Sequence, residues 1–277
     1  MKINMSKLHQ VIVLTCFILL ASFSFAQETP RITSSSKFFT VHVDEIEPAF
    51  TQRFEELNAM QMRTRNQIYK ENHIDIPPGF EYAASGGKYI SLRPRASYTE
   101  LDQPMKFSDD VKKLISEKVS PYSDTVHEML RYHHNEIWSI DTSVCYLPKN
   151  YDPTKMTMSH IRVDMVIPKM THLYDSVMTL FIQALKKIDS PMSLIAMYSS
   201  YGSGANYYLY HASTTEEISD ARNPKAFLIK AYGADEAKKI KELWYKCLFS
   251  YDAMDATVRP DLIDLQPGVM WLGVSGK

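Results

Sequence analysis

The sequence predicts an α+β protein made of two successive β-α-β-β-α-β units. Strand, long amphipathic helix, hairpin, shorter helices and strand follow one another from Phe38 to Asp141, and the same order returns from His160 to Asp252. A proline opens each long helix, Pro48 and Pro168, and the apolar faces of the two helices coincide at an offset of 120 positions. Agreement of element order, breakers and helix phase predicts an internal duplication.

In the first unit Phe39, Val41 and Val43 alternate with Thr40, His42 and Asp44, the two-residue period of a half-buried strand. Proline at Pro48 suits the first turn of a helix, where its missing N–H costs nothing. Phe50, Phe54, Leu57, Met60, Thr64 and Ile68 recur at three- and four-residue steps and predict one apolar face. Asp75 to Gly79, with two prolines, stops that helix. Phe80–Ser85 and Lys88–Leu92 flank Gly86-Gly87, a hairpin signal. Ser108 caps a short helix whose first turn carries Asp109 and Asp110, the sign the helix dipole favours. Pro121 breaks it and Ser123 starts another, lined by Val126, Met129, Leu130 and His133. Ile137 to Leu147 closes the unit as a strand.

The second unit repeats the series. Ile161, Val163 and Met165 alternate with Arg162, Asp164 and Val166. Met170, Tyr174, Val177, Leu180, Ala184 and Ile188 form the helix face, each 120 positions after its counterpart. Asp189-Ser190-Pro191 is the breaker, and Leu194–Ser200 and Asn206–His211 flank Gly202-Ser203-Gly204 as a second hairpin. A short helix starts near Asn223-Pro224 and ends at Gly233. Asp235 begins the last helix, with Ile240, Leu243, Trp244 and Cys247 inward. The closing strand Leu248–Asp252 echoes Ile137–Asp141 at an offset of 111.

The N-terminus has the three parts of an export signal: Lys2 and Lys7, the apolar run Val11–Ala21, and Ser24-Phe25-Ala26 with small residues at the cleavage positions. The organisation expected is a signal peptide over 1–26, a flexible leader over 27–37, a first unit over 38–150, a second over 151–261 and a C-terminal tail over 262–277. The protein is then exported, to the periplasm or beyond. No transmembrane segment remains after cleavage, because no other stretch is apolar for long enough. Cleavage removes two lysines and no acid, taking the net charge from -1 to -3. That balance gives no basic surface for nucleic acid, and 45% hydrophobic with 23% charged residues is a globular composition. Cys145 and Cys247 remain, either as a disulfide permitted by an oxidising compartment or as two buried free thiols.

The β-α-β-β-α-β order is the ferredoxin-like signature. Two copies in one chain, each with its long helix directly after the first strand, resemble the dimeric α+β barrel superfamily, in which two antiparallel sheets pack face to face. The tandem layout looks most like proteins of the NIPSNAP type and, more remotely, the chlorite-dismutase-like haem proteins. The resemblance rests on architecture, and fold alone does not set function. It implies that one sheet face meets the helices and the other meets the partner sheet. With Phe39, Val41 and Val43 on the helices, His42, Asp44, Arg162 and Asp164 would face the other sheet. Arg93 would join them from the first hairpin, and Tyr208, Tyr210 or His211 from the second. Such a face is too polar for a dry core. It would line a wet cavity, pair its charges into a network, or remain solvated.

The expectation for function is a small organic ligand bound between the sheets by His42, Asp44, Arg93, Arg162, Asp164, Tyr208 and His211. Haem is one candidate, with His42 or His211 as axial ligand. The alternatives are a structural or protein-interaction module, a homo-oligomer included, and a haem-binding or monooxygenase-like barrel enzyme. The tail residues Met270, Trp271 and Leu272 are apolar enough to dock on this chain or on a partner. No metal site is expected. His127-Glu128 begins an H-E-x-x-H pattern, but Arg131 stands where the second histidine is needed. Gly202-Ser203-Gly204 lacks the spacing of a nucleophile elbow, and no helix follows Gly86-Gly87 to cradle a phosphate. The tyrosines at 198, 201, 207, 208 and 210 read as strand packing or an aromatic wall.

Overall fold

A computed structural model describes residues 31–32, 38–74, 79–95, 97–101, 107–152, 155–262 and 274–275. The signal peptide, the breaker at 75–78 and the tail beyond Leu262, apart from 274–275, lie outside the described residues.

Eight strands close into one antiparallel barrel. The first half supplies β2 (Phe38–Ile46), β3 (Phe80–Ala84), β4 (Lys88–Arg95) and β5 (Leu130–Ile140). The second supplies β6 (Met158–Val166), β7 (Ser193–Tyr201), β8 (Asn206–Ala212) and β9 (Leu248–Val258). Their order around the barrel is β2-β4-β3-β9-β6-β8-β7-β5. The halves join where β3 meets β9 and β5 meets β7. A separate two-stranded ladder pairs β1 (Arg31–Ile32) with β10 (Val274–Ser275), so the segment expected as a flexible leader contains a paired strand.

The helices lie outside the barrel. The first half carries α1 (Thr51–Glu71), α2 (Asp109–Lys118) and α3 (Ser120–His127). The second carries α4 (Thr171–Lys187), α5 (Thr215–Arg222), α6 (Pro224–Tyr232) and α7 (Ala234–Lys246). None of the described helices is long and apolar enough to cross a membrane.

The expected strand–helix–hairpin series is present in each half, with four corrections of detail. The buried stripe of α1 is Phe54, Leu57, Gln61, Ile68 and their neighbours, while Phe50 and Met60 are exposed. Gln61 can be buried because its amide donates to Ser123 Oγ at 2.7 Å. Pro121 sits in the first turn of α3 and starts that helix; it does not break one. Leu130 and His133, expected on a helix, belong to β5, where pairing with β2 outweighs helical spacing. The closing strands therefore correspond at an offset of 118, Leu130 to Leu248, not 111. A bulge opposite each of these two leucines, at Glu45/Ile46 and Met165/Val166, marks the same register. Helix α5 went unforeseen, although Thr214 and Glu217 form a reciprocal capping box.

The face assignment is reversed. Phe39, Val41 and Val43 point into the barrel, where they pack with Leu92, Trp138, Ile161, Ile195 and Leu209. Closure screens the interior from water on every side, so it takes the apolar set of each strand. The outer face tolerates polar groups, because the helices cover it only in part. Leu194, Ala196, Tyr208 and Tyr210 meet α4, α6 and α7 there, and Ile46 and Tyr89 meet α1. Leu262 closes onto that last cluster, fixing the start of the C-terminal tail on the first half.

Two glycines are sterically required. A Cβ on Gly87 (φ 76°) would lie 2.9 Å from the Ile46 carbonyl oxygen, and the Gly87 carbonyl accepts the Ile46 N–H. A Cβ on Gly202 (φ 132°) would lie 2.7 Å from Glu136 Cγ.

Candidate functional site

The seven expected ligand residues fall into three places. His42, Asp44 and Arg93 lie on the outer face of the first half. Arg162, Asp164 and Tyr208 lie on the outer face of the second. His211 points into the barrel. They are not gathered between the sheets: six lie on outer faces, while Phe39, Val41, Leu92, Trp138 and Ile195 pack together inside.

The 120 offset nevertheless marks related positions. Alternation along β2 puts His42 and Asp44 on one face two residues apart, and His42 Nε2 lies 2.9 Å from Asp44 Oδ1. In β6 Arg162 Nε donates to Asp164 Oδ1 at 2.7 Å. Above each cation lies a ring from the neighbouring closing strand: His133 at 5.5 Å from the His42 ring, and Tyr251 at 4.5 Å from the Arg162 guanidinium. These two rings correspond at the 118 offset.

Burial separates the two pairs. His42 is 42% exposed at its side chain, and the imidazole also contacts Asn135 Oδ1 at 2.7 Å. The Asp44 hydrogen bond raises its pKa to about 9. Beneath it Glu81, buried and bonded by Ser91, is pushed up to about 8 by loss of water. Arg162 is only 7% exposed and Asp164 not at all. Asp164 Oδ2 accepts from Tyr174 Oη at 2.8 Å and Trp244 Nε1 at 3.0 Å. Burial raises the Asp164 pKa, while Arg162, Tyr174 and Trp244 oppose the rise. The Trp244 ring lies 3.8 Å from the guanidinium carbon, so Arg162 is held between an indole and a phenol.

Arg162 Nη2 has no hydrogen-bond partner among the described residues. Arg162 lines a cleft of about 180 Å³ between β6, β9 and the α5–α7 layer. Lys225 and Lys241 line this cleft, and neither has a carboxylate partner among the described residues. Arg222 lines it too, paired with Asp255, as is His160. The cleft is cationic with aromatic walls, an arrangement that can receive an oxyanion. Sequence reasoning found Arg162 and Asp164. It missed Arg222, Lys225, Lys241 and Trp244 as their companions, since only tertiary packing of α5–α7 brings these over β6.

His211 occupies one end of the barrel interior. Its Nε2 is 2.9 Å from Tyr82 Oη and its Nδ1 is 3.5 Å from Ser193 Oγ. Burial lowers its pKa to about 4, so the ring is neutral near pH 7. At the other end Glu136 accepts from Trp138, Tyr207, Ser203 and His134. Burial acts to raise the Glu136 pKa, and those four donors overcome it and lower it. The Gly202-Ser203-Gly204 turn thus wraps a buried carboxylate contributed by the other half. Cys145 and Cys247 are free thiols, so the pairing raised from sequence does not form. Burial raises both, Cys145 to about 12.

The residues do not fit haem. Both ring nitrogens of His211 face side-chain partners, Tyr82 and Ser193, and both nitrogens of His42 face Asn135 and Asp44. Among the described residues no cluster of three or more His, Cys, Asp or Glu side chains could hold a metal ion.

The closed eight-stranded barrel with helices on its outside is the fold of the dimeric α+β barrel proteins, here completed within one chain. A candidate monooxygenase from Fusobacterium nucleatum superposes with a TM-score of 0.53 at 6% identity, covering 82% of this chain and 94% of that one. A candidate monooxygenase from Lactobacillus acidophilus gives 0.48 at 11% identity, covering 80% and 94%. Chlorite dismutase from Candidatus Nitrospira defluvii, in complex with imidazole, gives 0.48 at 7% identity, covering 83% and 93%. No family model matches the chain, and no curated protein matches its sequence.

Proposed function

We propose that this is an exported binding protein for a small organic anion, which it holds in the Arg162 cleft on the outside of its second half. The observation that carries the reading is Arg162 in the lining of the cleft, more than nine-tenths buried and with Nη2 unpartnered among the described residues. A buried donor without a partner costs free energy that a bound oxyanion would recover. The ligand thus moves from the inter-sheet space to the sheet–helix boundary. Export rests on the n-region lysines, the apolar run and the Ser24-Phe25-Ala26 cleavage pattern.

The two halves are tandem ferredoxin-like units of one duplicated gene segment, in the manner of the NIPSNAP type. Three corresponding groups support this: a cation, a carboxylate two residues on, and a ring above the cation. The second copy has become a binding site because Trp244 and α7 cover it; the first stays open to water at His42.

The test is native mass spectrometry of the exported protein, followed by calorimetric titration with inorganic phosphate and with benzoate. One of the two should bind, and Arg162→Lys, which keeps the charge beside Asp164 but loses the planar fork, should weaken binding at least tenfold with the fold intact. Absence of any anion binding at millimolar concentration overturns the reading.

A further inference from the structure

The cleft by itself suits the anionic head of a ligand better than an extended whole one. Its volume is about 180 Å³. That is enough for one carboxylate or phosphate head and a short attachment, and it falls below the roughly 300–1,000 Å³ of ordinary small-molecule sites.

A second, open groove of about 520 Å³ adjoins it. The two share Lys225, Lys241 and Tyr245, so they lie side by side. The floor comes from the sequence of α7. Ala237, Ile240, Trp244 and Cys247 bury one face of that helix. Lys238, Lys241, Glu242 and Tyr245, at three- and four-residue steps, then fall on another. Lys246 in the last turn and Lys225 at the start of α6 complete the lining. The groove presents four ammonium groups against one carboxylate, Glu242. None of the four is in an ion pair among the described residues. In a chain of net charge -1 this concentration of one sign is local, and a groove lined by one sign focuses its field on a counter-charge.

We infer that the ligand is a small polyanion: one oxyanion seats against Arg162 in the cleft, and at least one more lies in the lysine groove along α7. This rests on the anion-binding reading above and specifies its substrate class. Phosphate esters and di- or tricarboxylates share the chemistry.

Titration calorimetry on the mature chain at 0.15 M salt separates them, with inorganic phosphate against tripolyphosphate in one arm and acetate against citrate in the other. In at least one arm the polyanion should bind at least tenfold tighter than its monoanion, and the arm that shows it identifies the head group. Lys238→Met with Lys246→Met, both exposed and outside the lining of the Arg162 cleft, should bring that advantage to within about twofold and leave the monoanion affinity within about twofold of its starting value. A monoanion that binds as tightly as the polyanion overturns the polyanion inference and leaves the Arg162 site standing. So does a polyanion advantage that survives the double lysine variant. Failure of all four probes to bind overturns both.

Discussion

Replacing Glu81 with glutamine should remove a large part of the alkaline instability of this protein. Glu81 lies on the outer face of β3, is 4% exposed, and is bonded by the Ser91 hydroxyl. Loss of water raises its pKa from 4.5 to about 8, with the neighbouring Asp44 carboxylate adding to the rise. A carboxyl whose folded pKa lies above its unfolded value is neutral in the fold where the unfolded chain is already ionised. The folded state then binds the extra proton, so stability is full below about 4.5 and falls as pH rises toward 8. At about 1.36 kcal/mol per pH unit the loss between pH 5 and pH 9 is roughly 4 kcal/mol as an upper bound. Halving it for relaxation and water penetration leaves about 2 kcal/mol, against a total stability of roughly 5–15 kcal/mol. Glu81→Gln keeps an oxygen to accept from Ser91 and has no proton to lose. Urea unfolding of both proteins at pH 5, 7 and 9 gives the difference, and the same pair of proteins carrying Asp44→Asn removes the coupling of Glu81 to Asp44 and the hydrogen bond that raises His42. A wild-type-minus-variant difference that stays constant across this range would refute the placement of a buried neutral carboxyl on β3.

Three further outcomes follow from the same geometry. By NMR the His42 imidazole should titrate near pH 9, and Asp44→Asn should return it toward 6.5; its contribution is present below 6.5 and lost as pH rises through about 9, so titration of His42 at 6.5 in the wild type contradicts the pair. Arg162→Met strands the fully buried Asp164 and should cost about 3–5 kcal/mol by chemical denaturation, whereas Arg162→Met with Asp164→Leu should recover most of it; a single variant costing under about 1 kcal/mol would show that Tyr174 and Trp244 alone sustain the carboxylate. Gly202→Ala forces a Cβ against Glu136 at a backbone angle that disfavours side chains, and should cost about 1–3 kcal/mol; an unchanged thermal midpoint would show that the turn relaxes freely.

Much of the barrel was legible because alternation and breakers are local signals. β2 and β6 read correctly from every second residue, and both hairpins from their glycines. The error at β5 shows the limit. Leu130 and His133 have helical spacing from Val126, and only pairing with β2 makes the stretch a strand. The same error carried the repeat register from 118 to 111. The site was half legible: Arg162 and Asp164 stood out as charges in an alternating strand, but Lys225, Lys241 and Trp244 look like ordinary helix residues until α6 and α7 fold over β6.

By itself the sequence determined much of the element order and the placing of a cation and a carboxylate two residues apart on one side of β2 and of β6, because each depends on residues close together in the chain. Only the tertiary structure decided which face those pairs occupy. An alternating strand says that one side is apolar, not what lies against it. Closing eight strands into a barrel made the inside the place most completely removed from water, so the apolar side turned inward. The charged side was left under the helices, and a cleft lined by Arg162, whose Nη2 lacks a partner among the described residues, formed where α5–α7 do not quite cover it.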